Sequence, residues 1–323
     1  MPFALAAEGF RVATLHAELT RKGPGLLLRD IERGKDKQID ALKAVVGYVS
    51  ADVLLMTKVD FDLEQRAAAA LRDALGFSYM FALAPNSMKV TTLDLNGDRR
   101  TGDRQAWARY AGEGAMLLLS QHPVELRFHL NDVLWKDVPG APMPVAGFLD
   151  EAAVSTLKVV TQGFWVLDVL PEDRRPIALV AFQNRSPVFD GPEDFNGLRS
   201  RAQLGLLSSV MDGEHGAFPK ERFVLIGNSN LDPKRGEGDR AAMAALLGDK
   251  RLQDARPQSA MGGDTTAQWE KPGAMRVSYV LPSADWRIKH AEVVWPRDGP
   301  LRDAAEQASR HRLVWMDLMP ALE

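Results

Sequence analysis

Strand-like and helix-like segments alternate along this 323-residue chain from residue 10 to residue 318. FRVATLHAEL (10–19) alternates apolar and polar residues as a strand does. KQIDALKAVVGYVSA (37–51) places apolar residues at helical spacing, and DVLLMTKVDFD (52–62) reads as a buried strand. EQRAAAALRDALG (64–76) reads as a helix that Gly76 stops. The alternation continues through GAMLLLS (114–120), PIALVAFQ (176–183), RFVLIGN (222–228), DRAAMAALLGD (239–249), MRVSYVLP (275–282) and HRLVWMDL (311–318). Polar segments bearing Gly and Pro, at 85–112, 131–150 and 253–273, fall between them as loops, where functional residues concentrate. The pattern predicts one α/β domain over 10–323 behind a lead-in at 1–9. MPFALAAEGF is similar to the end of a secretory signal but lacks a basic start and a full apolar stretch, so exported and cytoplasmic locations stay equally open.

Composition narrows the chemistry. The chain has no cysteine, which excludes disulfides, thiolate nucleophiles and Cys-ligated zinc. With 40 basic against 43 acidic residues, the net charge of −3 does not favour nucleic acid or an anionic membrane surface. No apolar run approaches the ~20 residues that a membrane-spanning helix needs.

Four local patterns carry candidate chemistry. FVLIGNSNLDP (223–233) runs an apolar strand into a glycine turn and ends it on Asn228 and Asn230, without a carboxylate. DLNGDRRTGD (94–103) puts Asp94, Asn96 and Asp98 at positions 1, 3 and 5 of a calcium loop. Arg99 and Gln105 replace that loop's usual Gly and Glu, so a Ca²⁺ site and a solvated turn both fit. Ser120 and His122 lie two apart without elbow glycines, which argues against a serine hydrolase. Trp135, Trp165, Trp269, Trp286, Trp295 and Trp315 mostly sit in strand-like runs and are expected in the core.

Taken in order, RVATLHAEL, ADVLLMTKVDFD, YAGEGAMLLLSQHPV, SPVFDGPEDFNGLRS, FVLIGNSNLDP, MRVSYVLPSADWRI and SRHRLVWMDL resemble the endonuclease/exonuclease/phosphatase superfamily, the DNase I-like fold. The bacterial members with a PVFDGPEDxNG stretch are the most similar. The resemblance implies a four-layer α/β sandwich, two mixed β-sheets packed face to face with helices outside, and a site in the cleft at the strand ends. In that family carboxylates hold a divalent metal, a His/Asp pair activates water, and Asn and His residues bind phosphate. Mg²⁺ suits such a site because it takes hard oxygen ligands and polarises a phosphoryl oxygen.

Carried over by position, the resemblance implies that most of this machinery is replaced. His16 stands for an Asn, Lys58 for the metal-binding Glu, and Gln183 for a His. Asn228 stands for the general-base Asp, while Ser278 and Arg310 each stand for an Asp. Asn230 and His311 keep the expected types. Lys58 and Arg310 put positive charge where the cation would sit, and Asn228 cannot take up a proton. Asp60, two residues from Lys58, is expected to share its strand face and pair with it. Basic residues in LTRKGPGLLLRDIERGKDKQ (19–38) would join Lys58 and Arg310 in a cationic patch for an anionic small molecule or an acidic protein, or else form a solvated face. A catalytically inactive relative follows, a pseudoenzyme with no Mg²⁺ or Mn²⁺ at the cleft, which binds a ligand or partner instead. The alternative is a divergent active phosphoesterase or nuclease holding Mg²⁺ or Mn²⁺ on Glu18, Asp60 or Glu113. A third reading has the loops at 85–112 and 131–150 docking a partner.

Overall fold

The structure, a computed structural model, describes residues 9–172 and 174–320, so all but Gly9 of the expected lead-in lies outside the described residues. The strands are β1 (Phe10–Leu19), β2 (Val53–Val59), β3 (Tyr79–Phe81), β4 (Ala115–Ser120), β5 (Val124–His129), β6 (Gly163–Val169), β7 (Ile177–Gln183), β8 (Phe223–Asn228), β9 (Ala267–Gln268), β10 (Ala274–Met275), β11 (Ser278–Pro282), β12 (Trp286–Val293) and β13 (Val314–Pro320). The helices are α1 (Leu26–Arg33), α2 (Lys37–Val49), α3 (Arg66–Leu75), α4 (Glu151–Thr156), α5 (Phe195–Met211), α6 (Arg240–Leu247) and α7 (Pro300–Ala308). One mixed sheet has the order β12-β13-β1-β2-β4-β3 and the other β11-β8-β7-β6-β5.

The apolar runs explain the layering. β4, β7 and β8 are buried at every position, which requires cover on both faces. Alternate residues of one strand supply the two covers. From β2, Val53 and Leu55 face the other sheet, in a shared core with Trp165, Leu167, Leu179 and Ile226. Leu54 and Met56 face outward onto α2 and α3, among Leu42, Val45 and Leu71. On the second sheet, Val166, Val180 and Leu225 pack outward against Leu206, Leu207 and Val210 of α5. The result is the expected four-layer sandwich. The edge strands β5 and β12 are mostly exposed or half-buried and carry charge, which suits sheet borders.

Helix ends follow their local chemistry. Asp36 caps α2 by accepting from the backbone N–H groups of Gln38 and Ile39, and Gly76 closes α3 in the left-handed conformation. Two predicted strands start later than their apolar runs: β11 at Ser278 and β13 at Val314. Residues 274–275 instead pair with 267–268, which lie in the 253–273 segment expected to be loop. Four of the expected core tryptophans, Trp135, Trp165, Trp286 and Trp315, are buried.

Leu55, fully buried between the sheets, tests this packing. Leu55→Ala is expected to cost about 2–5 kcal/mol of unfolding free energy, read from urea denaturation. A loss within the range of a surface change would contradict the inter-sheet core.

Candidate active-site cleft

β1 and β2 run parallel, as do β7 and β8, so their C-terminal ends meet at one end of the sandwich. His16 pairs in register with Thr57, Gln183 with Asn228, and Ser278 with Asn228. Gly227 lets β8 approach β7, since a Cβ there would lie 1.9 Å from the carbonyl oxygen of Phe182. Both β1 and β2 break register just before they end, and the extra residues, Glu18 (φ 51°) and Lys58 (φ 62°), are left-handed. Asn230, just beyond β8, is left-handed too (φ 55°).

A network of neutral groups joins the two sheets. The backbone N–H of Asn230 donates to Asn228 Oδ1 (3.0 Å), which fixes the orientation of that amide. Asn228 Nδ2 therefore faces His16 Nδ1 at 2.8 Å and donates to it, also reaching Asn230 Oδ1 at 3.1 Å. Thr57 Oγ1 lies 2.8 Å from the same ring nitrogen. His16 is thus a neutral ring accepting at Nδ1, with its proton on Nε2. Asn230 Nδ2 donates to the carbonyl of Asn184 at 2.8 Å.

His311 packs at a tilt against His16 with ring centroids 4.3 Å apart and edge-to-face with Trp269 at 5.2 Å, so Trp269 is a wall of this cleft rather than a distant core residue. Its buried Nδ1 has no hydrogen-bond partner among the described residues. Ser278 Oγ is likewise buried without a partner. Burial pushes His311 down to about 4, with Arg310 and Arg312 lowering it further and Glu18 opposing. Burial, then the neighbouring His311 and Lys58, also hold His16 well below its usual value.

The charged groups correct two expectations. Arg310 is not a free cation in the cleft: its guanidinium and backbone N–H bind the carboxylate of Glu18, with Nε 3.0 Å from Oε1. Burial raises Glu18, and the bonds to Arg310 more than reverse that. Lys58 does not pair with Asp60. The bulge at Lys58 breaks the two-residue alternation, and Asp60 instead accepts from Tyr110 Oη (2.7 Å) and the Arg21 backbone N–H (2.8 Å). Glu113 accepts from the backbone N–H of Arg109 (2.6 Å) and its Nε (2.9 Å). In the 19–38 segment, Arg21 is tied to Asp30 and Asp36 by ion pairs, which favours the solvated-face reading there.

Lys58 keeps its backbone N–H on Gln183 Oε1 (3.1 Å), but its ammonium makes no ion pair or hydrogen bond among the described residues. Burial and the nearby Arg185 and Arg109 lower its pKa, while Glu113 and Asp60 oppose the shift. Arg185 was not legible as a site residue. It lies two positions past Gln183, and Asn196 Oδ1 fixes its Nε at 2.8 Å.

Elsewhere, Asp94 accepts backbone N–H bonds from Asn96, Gly97 and Arg99, and Asn96 Oδ1 accepts from Asp98. Carboxylate oxygens of Asp94, Asp98 and Asp103 lie within 4.8 Å of one another, so Asp103, which the sequence pattern did not single out, joins the two expected aspartates.

The histidine pair predicts a pH dependence. The unfolded chain binds protons near pH 6.5, and folded His311 refuses one until about pH 4, so this contribution is complete above pH 6.5 and is lost as pH falls toward 4. From pH 7 to pH 5 the His311 share is about 2 kcal/mol. His311→Gln is expected to flatten the urea-derived stability profile by that amount, and an unchanged slope would contradict a neutral buried His311.

The model of the endonuclease/exonuclease/phosphatase family matches residues 29–311. Among solved structures, an endonuclease/exonuclease/phosphatase from Beutenbergia cavernae is 17% identical with a TM-score of 0.56, covering 97% of this chain and 72% of that one. Sphingomyelinase C from Streptomyces griseocarneus is 16% identical with a TM-score of 0.58, covering 96% and 99%. A family protein from Leptotrichia buccalis is 13% identical with a TM-score of 0.58, covering 96% and 99%. A comparison with curated proteins gives no match. The family model spans most of the chain and the sandwich has the same fold as these structures: this chain belongs to the endonuclease/exonuclease/phosphatase family.

Proposed function

We propose that this protein is a non-catalytic member of its family, in which the cleft at the strand ends binds a ligand or partner rather than hydrolysing a phosphate ester. One observation carries the reading: Glu18 and Glu113 are tied to Arg310 and Arg109, and Asp60 accepts on Oδ2 and keeps a single open oxygen, while the ammonium of Lys58 makes no ion pair among the described residues. A divalent cation takes several hard, mostly anionic oxygen ligands, and beyond the single open Oδ1 of Asp60 the remaining groups there are neutral imidazoles, amides and a hydroxyl. This donor set does not fit Mg²⁺ or Mn²⁺.

Proton transfer lacks an agent as well. Asn228 spends its Nδ2 protons as donor to His16 and Asn230, and an amide cannot accept a proton at neutral pH. His311 has no carboxylate on Nδ1 to orient its ring, and burial disfavours the imidazolium that a general base must form. The relatives whose descriptions name a hydrolase, such as the sphingomyelinase C, supply the rival reading of a divergent active enzyme. That reading would have to free Glu18, Asp60 or Glu113 from its present partners.

Purified protein with Mg²⁺ or Mn²⁺ is expected to hydrolyse neither phosphodiesters nor phosphomonoesters above background. Turnover that His311→Ala abolishes would overturn the proposal. Calorimetry is expected to show no Mn²⁺ binding at the cleft of the natural chain. Combining Lys58→Glu, Asn228→Asp and Arg310→Asp is expected to create measurable Mn²⁺ binding, because it places three carboxylates at the cleft.

A further inference from the structure

The floor of the cleft holds two cations without anionic partners. The Lys58 ammonium is one, and the side-chain N–H groups at the tip of Arg185 are the other. Arg185 makes no ion pair among the described residues, and only its Nε is hydrogen-bonded through the side chain. Gln183 joins them: its Oε1 accepts from the Lys58 backbone N–H, Arg185 follows it by two residues, and its Nε2 has no hydrogen-bond partner among the described residues. Arg185 is close enough to Lys58 for its charge to act on the ammonium, so an ammonium, a guanidinium and an amide N–H₂ offer donors at the same strand end. Asn230, close by, is already satisfied by Asn184.

These donors are held in position. Arg185 is gripped at Nε by Asn196, itself fixed by donating to the Val188 carbonyl (2.9 Å) and to Asp190 (2.5 Å). The Arg185 backbone N–H donates to Asn184 Oδ1 (2.9 Å) and Gln203 Oε1 (2.7 Å). Lys58 is set by its left-handed backbone and by Gln183. The opposing charges do not cancel the pair. Glu113 is paired with Arg109 and Glu18 with Arg310; Asp60 accepts on Oδ2 from Tyr110 and the Arg21 N–H, and the charge of Asp190 acts on Arg185 without forming an ion pair with it.

We propose that Lys58, Arg185 and the Gln183 amide form a site for a small oxyanion, which the protein binds without a metal ion. The inference rests on the non-catalytic reading and names the class of ligand for the same cleft. A point charge and a planar fork suit a group presenting two or more anionic oxygens, a chemistry common to phosphate and to a dicarboxylate. A neutral ligand would leave a partly desolvated ammonium unpaired, whereas an oxyanion supplies its missing partner.

The test is calorimetric titration of the full chain with inorganic phosphate and, separately, malonate, at low ionic strength with EDTA present. One saturable site is expected for at least one anion, and which anion binds distinguishes phosphate from carboxylate recognition. Lys58→Met and Arg185→Gln are each expected to weaken that binding tenfold or more. Thermal unfolding gives a second readout. Without anion, Lys58→Met should melt at or above the natural protein, because it removes an uncompensated charge, and the anion-induced rise in Tm should disappear. No saturable binding of either anion, or binding retained in both variants, would overturn the proposal. A Lys58→Met protein that melts lower without anion would overturn it too, by making the ammonium structural. Chelation keeps the two readings apart: Mg²⁺-dependent turnover would sink the non-catalytic reading, whereas absent anion binding in EDTA would sink only this one.

Discussion

Polar side chains at the end of a sheet that is dry on both faces have to satisfy one another. The inter-sheet core of Val53, Leu55, Leu179 and Ile226 and the outer layers of α2, α3 and α5 leave β1, β2, β7 and β8 apolar through most of their length and gather most of their polar side chains at their shared C-terminal end. His16, Thr57, Asn228 and Asn230 meet there because the parallel pairings bring those ends together; the first three are buried and Asn230 is half-buried. An unpaired polar atom in such a place costs about 1–3 kcal/mol, so the identities at these positions are interdependent. Asn228 can donate to His16 Nδ1 only as an amide, and His16 can accept there only as a neutral ring.

That interdependence gives the cleft its charge. The carboxylates near it are turned toward donors of their own, Glu18 to Arg310, Glu113 to Arg109 and the Oδ2 of Asp60 to Tyr110 and the Arg21 N–H, with the Oδ1 of Asp60 alone left open. The Glu18–Arg310 pair is largely exposed on the arginine side and adds little stability. Its consequence is positional, since it removes from the cleft both the anion a metal would use and the second cation that residue types alone suggested. What remains unbalanced is Lys58 with Arg185, a pair that would repel a divalent cation and attract an oxyanion.

Much of the architecture was legible because strands covered on both faces leave unbroken apolar runs, as in AMLLLS and IALVAFQ. α5 was not, for the same reason: it is buried nearly all round, so its sequence lacks the one-sided pattern that marks a surface helix. At the site, residue types and order located the converging strand ends, but contacts escaped. The pairing of Lys58 with Asp60 failed because a bulge adds a residue to β2 where strand alternation was assumed. The partner of Arg310 lies 292 residues away, and no local pattern announces it. Arg185 and Trp269 entered the cleft through loops, whose course the sequence does not encode in a period.

The backbone says something the side chains do not. Glu18, Lys58 and Asn230 are all non-glycine residues in the left-handed region, and all three sit where strands end at the cleft. Such conformations cost of order 1–3 kcal/mol each and persist only where surrounding structure enforces them. Asn tolerates that region better than the others, so Glu18 and Lys58 carry most of the strain. A cleft that served only to close the sandwich would gain from glycine at either bulge, or from strands that ended without one. Strain kept at Lys58 falls on the same residue whose ammonium makes no ion pair among the described residues and is only partly offset by Glu113 and Asp60. The oxyanion proposed for the cleft would supply the partner that this ammonium lacks, which would give the strained bulge a use that closing the sandwich does not.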